Sequence, residues 1–197
     1  MKKLIFIFLH LSLNHISAQD YFQQETNYII DVSLNDIEHT LNGFEQIEYI
    51  NHSKDTLGFI WIHLWPNAYK NKHTALSRQK IENGDDKLYY SSKEEQGYID
   101  SLEFKVDGKP VQWQYHEENI DICKITLNSP LKPDEKIIIS TPFFVKIPDG
   151  KFSRLGHVDQ SYMITQWYPK PAVYDKDGWH IMPYLDQGEF YSEFGAF

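Results

Sequence analysis

The closest approach to a metallohydrolase signature in this chain is His116-Glu117. A helix-borne zinc site needs His-Glu-x-x-His, because histidines four residues apart share one helix face. Here the pair runs on into Glu118-Asn119-Ile120, so the second histidine is missing, and the surrounding residues read as a loop. His39, His52, His63, His73, His157 and His180 show no ligand-like spacing. His63, between Ile62 and Leu64, reads as a core-flanking strand residue, and His157 and His180 flank an aromatic-rich segment. Asp175, Asp177, Asp186 and Glu189 are of the type that performs paired acid–base chemistry on glycosides. Asp175-Lys176-Asp177-Gly178, however, reads first as a hairpin turn. There is no Gly-x-Ser-x-Gly, no phosphate-cradling glycine loop and no Cys–His pair. The single cysteine, Cys123, sits in the strand-like Ile122-Cys123-Lys124-Ile125 and reads as a small buried filler. No catalytic residue and no metal ligand is assigned to the chain on this reading.

Aromatic side chains are the stronger signal, at 15% of the 197 residues. Trp167, Tyr168, Tyr174 and Trp179 fall close together. Such a group serves either as a platform for sugar rings or as a patch buried against another domain. Composition alone leaves both open.

The elements that must position these residues follow a period of two. Tyr28–Leu34 reads as a strand, and Thr40–Asn51 as its hairpin partner. Leu57–Trp65 is apolar on both faces and reads as a central strand ended by Pro66. A polar, irregular insertion occupies residues 67–97, with a short helix near Thr74–Ile81. Strands resume over Ile99–Val106, turn at Asp107-Gly108, and return over Val111–Tyr115. Ile122–Leu127 follows, with turns at Asn128-Ser129-Pro130 and Lys132-Pro133-Asp134. In Lys136–Ile147, Pro142 predicts an edge or a bulge. The class implied is all-β: a β-sandwich or curved antiparallel sheets with the insertion at about 67–97.

Met1-Lys2-Lys3, the apolar run Leu4–Leu13 and the small pair Ser17-Ala18 have the order of an export signal over 1–18. The expected mature chain is 19–197, periplasmic or extracellular, with no membrane span, since a span needs about 20 apolar residues. Removing the leader takes away Lys2 and Lys3 and no acid, so the formal charge moves from −9 to −11. An acidic chain without a basic stripe is unsuited to nucleic acid or anionic membrane surfaces. Phe190–Phe194 looks like a strand beginning just before Phe197, which reads as a chain cut short of its natural end.

The stretch Thr165-Gln166-Trp167-Tyr168-Pro169-Lys170-Pro171-Ala172-Val173-Tyr174-Asp175-Lys176-Asp177-Gly178-Trp179-His180 goes further. With Gly188–Gly195, Thr56-Leu57 and Ile62-His63-Leu64-Trp65-Pro66-Asn67-Ala68, it resembles secreted bacterial members of the aminopeptidase N family, the gluzincin zinc metallopeptidases. The resemblance covers the mature chain but only the family's N-terminal domain. It implies a saddle-like β structure packed on a thermolysin-like catalytic domain, which carries the zinc, the general base and the metal ligands. None of those motifs is present here, so zinc is expected only in a full-length parent enzyme, not in this chain. The resemblance also implies that Gln166 matches a glutamine reaching the substrate cleft. Two residues later the family's typical aminopeptidases place a glutamate that binds the substrate's α-amine, where this sequence has Tyr168. A phenol lacks the anionic charge that pairs with an ammonium. Either another residue supplies it or the parent departs from a standard aminopeptidase. The implied partners are the catalytic domain of the same polypeptide and a peptide substrate. The rival reading is a free-standing secreted binding module, for carbohydrate or protein, built on the Trp167–Trp179 aromatics.

Overall fold

The computed structural model describes residues 21–187. The expected leader, Glu189 and the Gly188–Gly195 motif lie outside the described residues. The chain opens with two long antiparallel strands, β1 (Glu25–Asn35) and β2 (Thr40–Ile50), paired in register along their full length. β3 (Leu57–His63) follows, then a 3-10 turn at Trp65–Tyr69 and the helix α1 (Ala75–Glu82). The remaining strands are β4 (Tyr98–Asp100), β5 (Lys105–Val106), β6 (Lys109–Pro110), β7 (Gln112–Tyr115), β8 (Ile122–Leu131) and β9 (Lys136–Lys146), then β10 (Leu155–Val158), β11 (Ser161–Ile164), β12 (Lys170–Pro171), β13 (Val173–Asp175) and β14 (Gly178–His180).

Two curved antiparallel sheets result, as the period-two pattern predicts. One has six strands in the order β1-β2-β9-β5-β6, with β4 also on β9. The other is ordered β12-β3-β8-β7. β10–β11 and β13–β14 are separate hairpins. Alternate residues of both sheets meet in one core. Ile47, Tyr49, Ile139 and Val145 come from the first sheet, and Ile60, Ile62, Cys123 and Ile125 from the second. Burying a side chain of this kind contributes roughly 1.5–3 kcal/mol.

Several expected boundaries move for identifiable reasons. β3 ends at His63, and Pro66 starts the 3-10 turn instead of closing the strand. The run Ile99–Val106 is broken at Ser101, whose φ of 58° leaves the extended region, although Leu102 and Phe104 still point inward. Asp107-Gly108 does form the tight turn, with φ 49° and 75°. The chain then leaves that sheet, and β7 pairs with β8 in the other one. Asn128-Ser129-Pro130 is not a turn but part of β8. The partner register jumps from Phe59↔Thr126 to Leu57↔Leu131, so these residues bulge without ending the strand. Pro142 lies in β9, a central strand, not an edge. It falls between the stretches that pair with β4 and with β5, where the neighbouring strand is itself interrupted.

The 67–97 insertion is anchored by a second apolar cluster of Trp65, Ala68, Tyr69, Leu76, Leu88, Phe152, Leu155 and Tyr184. Thr74 caps α1 by accepting from Ser77 N (3.3 Å) and donates to the Ala68 carbonyl (2.7 Å). Lys80 of the helix bonds Asp85 (3.1 Å) and Asp186 (3.0 Å), tying the insertion to the end of the described chain. Among the described residues no helix is long and apolar enough to cross a membrane.

Candidate functional site

The segment Thr165–Lys170 bridges the two sheets. It leaves the β10–β11 hairpin, where Thr165 Oγ1 donates to the Arg154 carbonyl (2.8 Å), and enters β12, where Lys170 sits opposite His63. Between these anchors Gln166 adopts φ 56°, a left-handed conformation that costs a non-glycine residue about 1–2 kcal/mol. The turn throws Trp167 and Tyr168 onto the inner face of the six-stranded sheet. The Trp167 ring lies 5.8 Å from that of Phe143. Phe143 in turn covers Gly43 so closely that a Cβ there would be 2.3 Å from the Phe143 ring. Glycine at 43 is what lets the aromatic stack approach β2.

Tyr168 packs edge-on against Tyr28 (5.5 Å) and Trp167 (5.1 Å). With Ile29, Ile30 and Val32 these three rings line a groove of about 570 Å³ along β1. Burial and the nearby Glu45 push the Tyr168 phenol up to about 12, so it stays neutral at physiological pH. Glu45 itself is 0% exposed on the inner face of β2, between Ile30 and Thr141 of the adjoining strands. Neither of its carboxyl oxygens has a hydrogen-bond partner, and burial raises its pKa well above the carboxylate range. Alternation through Leu41, Ile47 and Tyr49 puts position 45 on this inner face, where the residue type itself argues for solvent. Phe44, its neighbour on β2, points out and is 43% exposed.

Lys170 is 7% exposed. Its Nζ donates to Gln166 Oε1 and lies 4.2 Å from the centroid of the Trp65 ring, a cation–π contact. Burial pulls its pKa down to about 7. His63 stacks on the same tryptophan at 4.4 Å, and burial, aided by Lys170, lowers its pKa to about 3. Its buried Nε2 has no hydrogen-bond partner. The core position expected for His63 therefore holds, as a neutral imidazole.

The aromatic group divides. Trp167 and Tyr168 belong to the groove, whereas Tyr174 and Trp179 (4.9 Å apart) continue onto Phe59 (6.1 Å from Trp179) and Trp61 of β3, with Lys124 over both of the latter rings. A single platform spanning Trp167 to Trp179 is not what the geometry provides. The acids near the end of the chain are also engaged. Asp175 accepts from Asp177 N (2.9 Å) and meets His180 Nε2 at 2.8 Å, while Asp186 bonds Lys80 and Ser153. His116 lies in a loop, where its Nδ1 accepts from Glu118 N (3.2 Å). His39 and His157, which spacing could not connect, stack at 3.6 Å and close the β1–β2 turn onto the β10–β11 hairpin. Among the described residues no three His, Cys, Asp or Glu side chains are grouped as a metal ion requires. These residues do not fit zinc.

No family model and no curated protein matches the chain. Among solved structures, it is similar to a two-domain M1 zinc metallopeptidase variant bound to L-tryptophan, at 13% identity and TM-score 0.39, over 64% of this chain and 21% of the other. A variant bound to L-arginine gives 12% identity and TM-score 0.41 over 70% and 25%. An M1 zinc metallopeptidase variant from Deinococcus radiodurans gives 10% and 0.42 over 74% and 29%. The chain thus spans between a fifth and a third of the length of these structures, and similarity at this level assigns no residue a role.

Proposed function

We propose that this chain is the non-catalytic N-terminal β domain of an exported zinc metallopeptidase of the aminopeptidase type, packing on a catalytic domain and lining its substrate cleft with Gln166 and Tyr168. The observation that carries this reading is the Thr165–Lys170 bridge. A glutamine is held in a left-handed backbone conformation and anchored on both sides, within the sequence segment that resembles that family. A residue kept in a costly conformation by its surroundings points to function at that place. Tyr168, neutral and half-buried against Tyr28, shapes the wall and supplies no charge. In the intact enzyme zinc would polarise the peptide carbonyl and activate water from the catalytic domain, not from these residues. The test is Gln166→Ala in the intact enzyme. Substrate use falls by about 10-fold or more, as for loss of one well-placed hydrogen bond, while zinc content stays the same. Unaltered kinetics remove Gln166 from the cleft.

A second reading, a free-standing secreted module for carbohydrate, is favoured by one observation, the half-exposed Phe59, Trp61, Tyr174 and Trp179 strip with Lys124 over it. Glycan-array binding by the purified chain would support it over the first.

A further inference from the structure

The groove beside Tyr168 lies on a strand margin. β1 is the outermost strand of the six-stranded sheet, and among the described residues it pairs only with β2. Successive side chains of a strand point to opposite faces. Tyr28, Ile30 and Val32 share one face, yet Ile29 from the other face also lines the groove. A hollow that meets both sets reaches the backbone on the side away from β2. There, alternate residues of an edge strand turn their N–H and C=O groups outward.

Natural edges are blunted by proline, lysine, a bulge or a covering segment. Glu25–Asn35 contains no Pro, Lys or Arg, and its register with β2 runs unbroken from Glu25↔Ile50 to Asn35↔Thr40. Its second half is also open. Ile29 is 68% exposed, and Val32 and Leu34 are exposed although they alternate onto the face that carries Tyr28. Trp167 and Tyr168 wall one side of the hollow. An open backbone margin, alternating apolar positions and an aromatic wall are the parts of a site to which an extended peptide adds as an extra strand.

Charge selects the occupant. Asp31 is exposed, on the same face as Ile29, and its side chain has no partner among the described residues. The other charge on β1 is Glu25, and the turn that follows adds Asp36 and Glu38. A second copy of β1 would bring acids and no base to this margin, whereas cross-strand pairs reward opposite charge.

We propose that the margin of β1 over Ile29–Leu34 docks an extended peptide in which apolar and basic side chains alternate, added to the sheet as a further strand. Its apolar side chains enter the groove against Tyr28, Trp167 and Tyr168, and a basic one faces Asp31. The proposal goes beyond the cleft reading, since it needs neither Gln166 nor a catalytic domain.

The test adds acetyl-Lys-Val-Lys-Val-Lys-Val-amide to the purified chain and follows amide hydrogen exchange, with the anisotropy of a fluorescent derivative as the binding signal. Binding is saturable and slows exchange in Ile29–Leu34. The counterpart with Glu in place of Lys binds about tenfold more weakly, a difference of about 1.4 kcal/mol. Asp31→Lys, at an exposed position, reverses that preference. Methylating the backbone nitrogens along one edge of the peptide abolishes binding, and methylating the other edge does not. No binding, binding without slowed exchange in Ile29–Leu34, or equal binding of the two charge types overturns the proposal. So does slowed exchange there without peptide that grows with protein concentration, which would make a second copy the occupant. Gln166→Ala in the intact enzyme reads the cleft, and exchange in β1 of the purified chain reads this margin, so either reading can fail alone.

Discussion

Replacing Glu45 by Gln turns the groove wall into a measurable pH dependence of stability. The Glu45 carboxyl is fully buried and unpartnered, and its neighbour Thr141 is already engaged, Oγ1 donating to the Pro142 carbonyl (2.8 Å) and accepting from Glu103 N (2.9 Å). Burial holds its pKa well above the unfolded value of about 4.3. Below that unfolded value both states carry the proton and there is no penalty. Above it the unfolded chain releases the proton while the folded one retains it, so stability is lost as pH rises, by about 1.4 kcal/mol per pH unit, until the folded carboxyl itself ionises. Glu45→Gln keeps the shape and removes the titration, and whatever its buried amide costs is independent of pH. As the pH rises above the unfolded value the difference between variant and wild type therefore moves in favour of Gln, for as long as the folded carboxyl keeps its proton. At roughly 2–4 °C per kcal/mol for a domain of this size, thermal unfolding at several pH values reads it directly. Parallel stability–pH curves for the two proteins would refute a buried, unpartnered acid beneath Tyr168.

Two further outcomes follow from the packing. Gly43→Ala drives a methyl into the Phe143 ring, which backs Trp167, and destabilises by about 1–3 kcal/mol with a changed near-ultraviolet circular dichroism signal. Cys123 is fully buried, and burial raises its thiol pKa, so it is silent to a disulfide thiol reagent in the native state and reacts only as the chain unfolds; rapid native labelling would contradict this.

Much of the architecture was legible because it is local. Strand patterning located β1, β2, β3 and β9, Asp107-Gly108 marked a tight turn, and a short helix near Thr74–Ile81 is found as α1. What sequence could not show depends on distant partners. Pro142 sits safely in a central strand because another strand is broken beside it, and Asn128-Ser129-Pro130 is absorbed as a bulge because β3 stays paired on both sides. In the candidate site, Gln166 and Tyr168 were singled out by resemblance alone. The φ of 56° and the Lys170 contact four residues on are local but leave no mark in residue type or periodicity, and the acid at Glu45 meets Tyr168 only in the fold. Glu45 was hidden because its type contradicts the face it occupies, and His39–His157 because the stacking partners are far apart in sequence.

The most direct test of a cleft wall without chemistry of its own is the metal content and hydrolytic activity of the purified chain. The expected result is sub-stoichiometric zinc by elemental analysis and no turnover of aminoacyl substrates above background. Stoichiometric zinc together with turnover abolished by a chelator would contradict it.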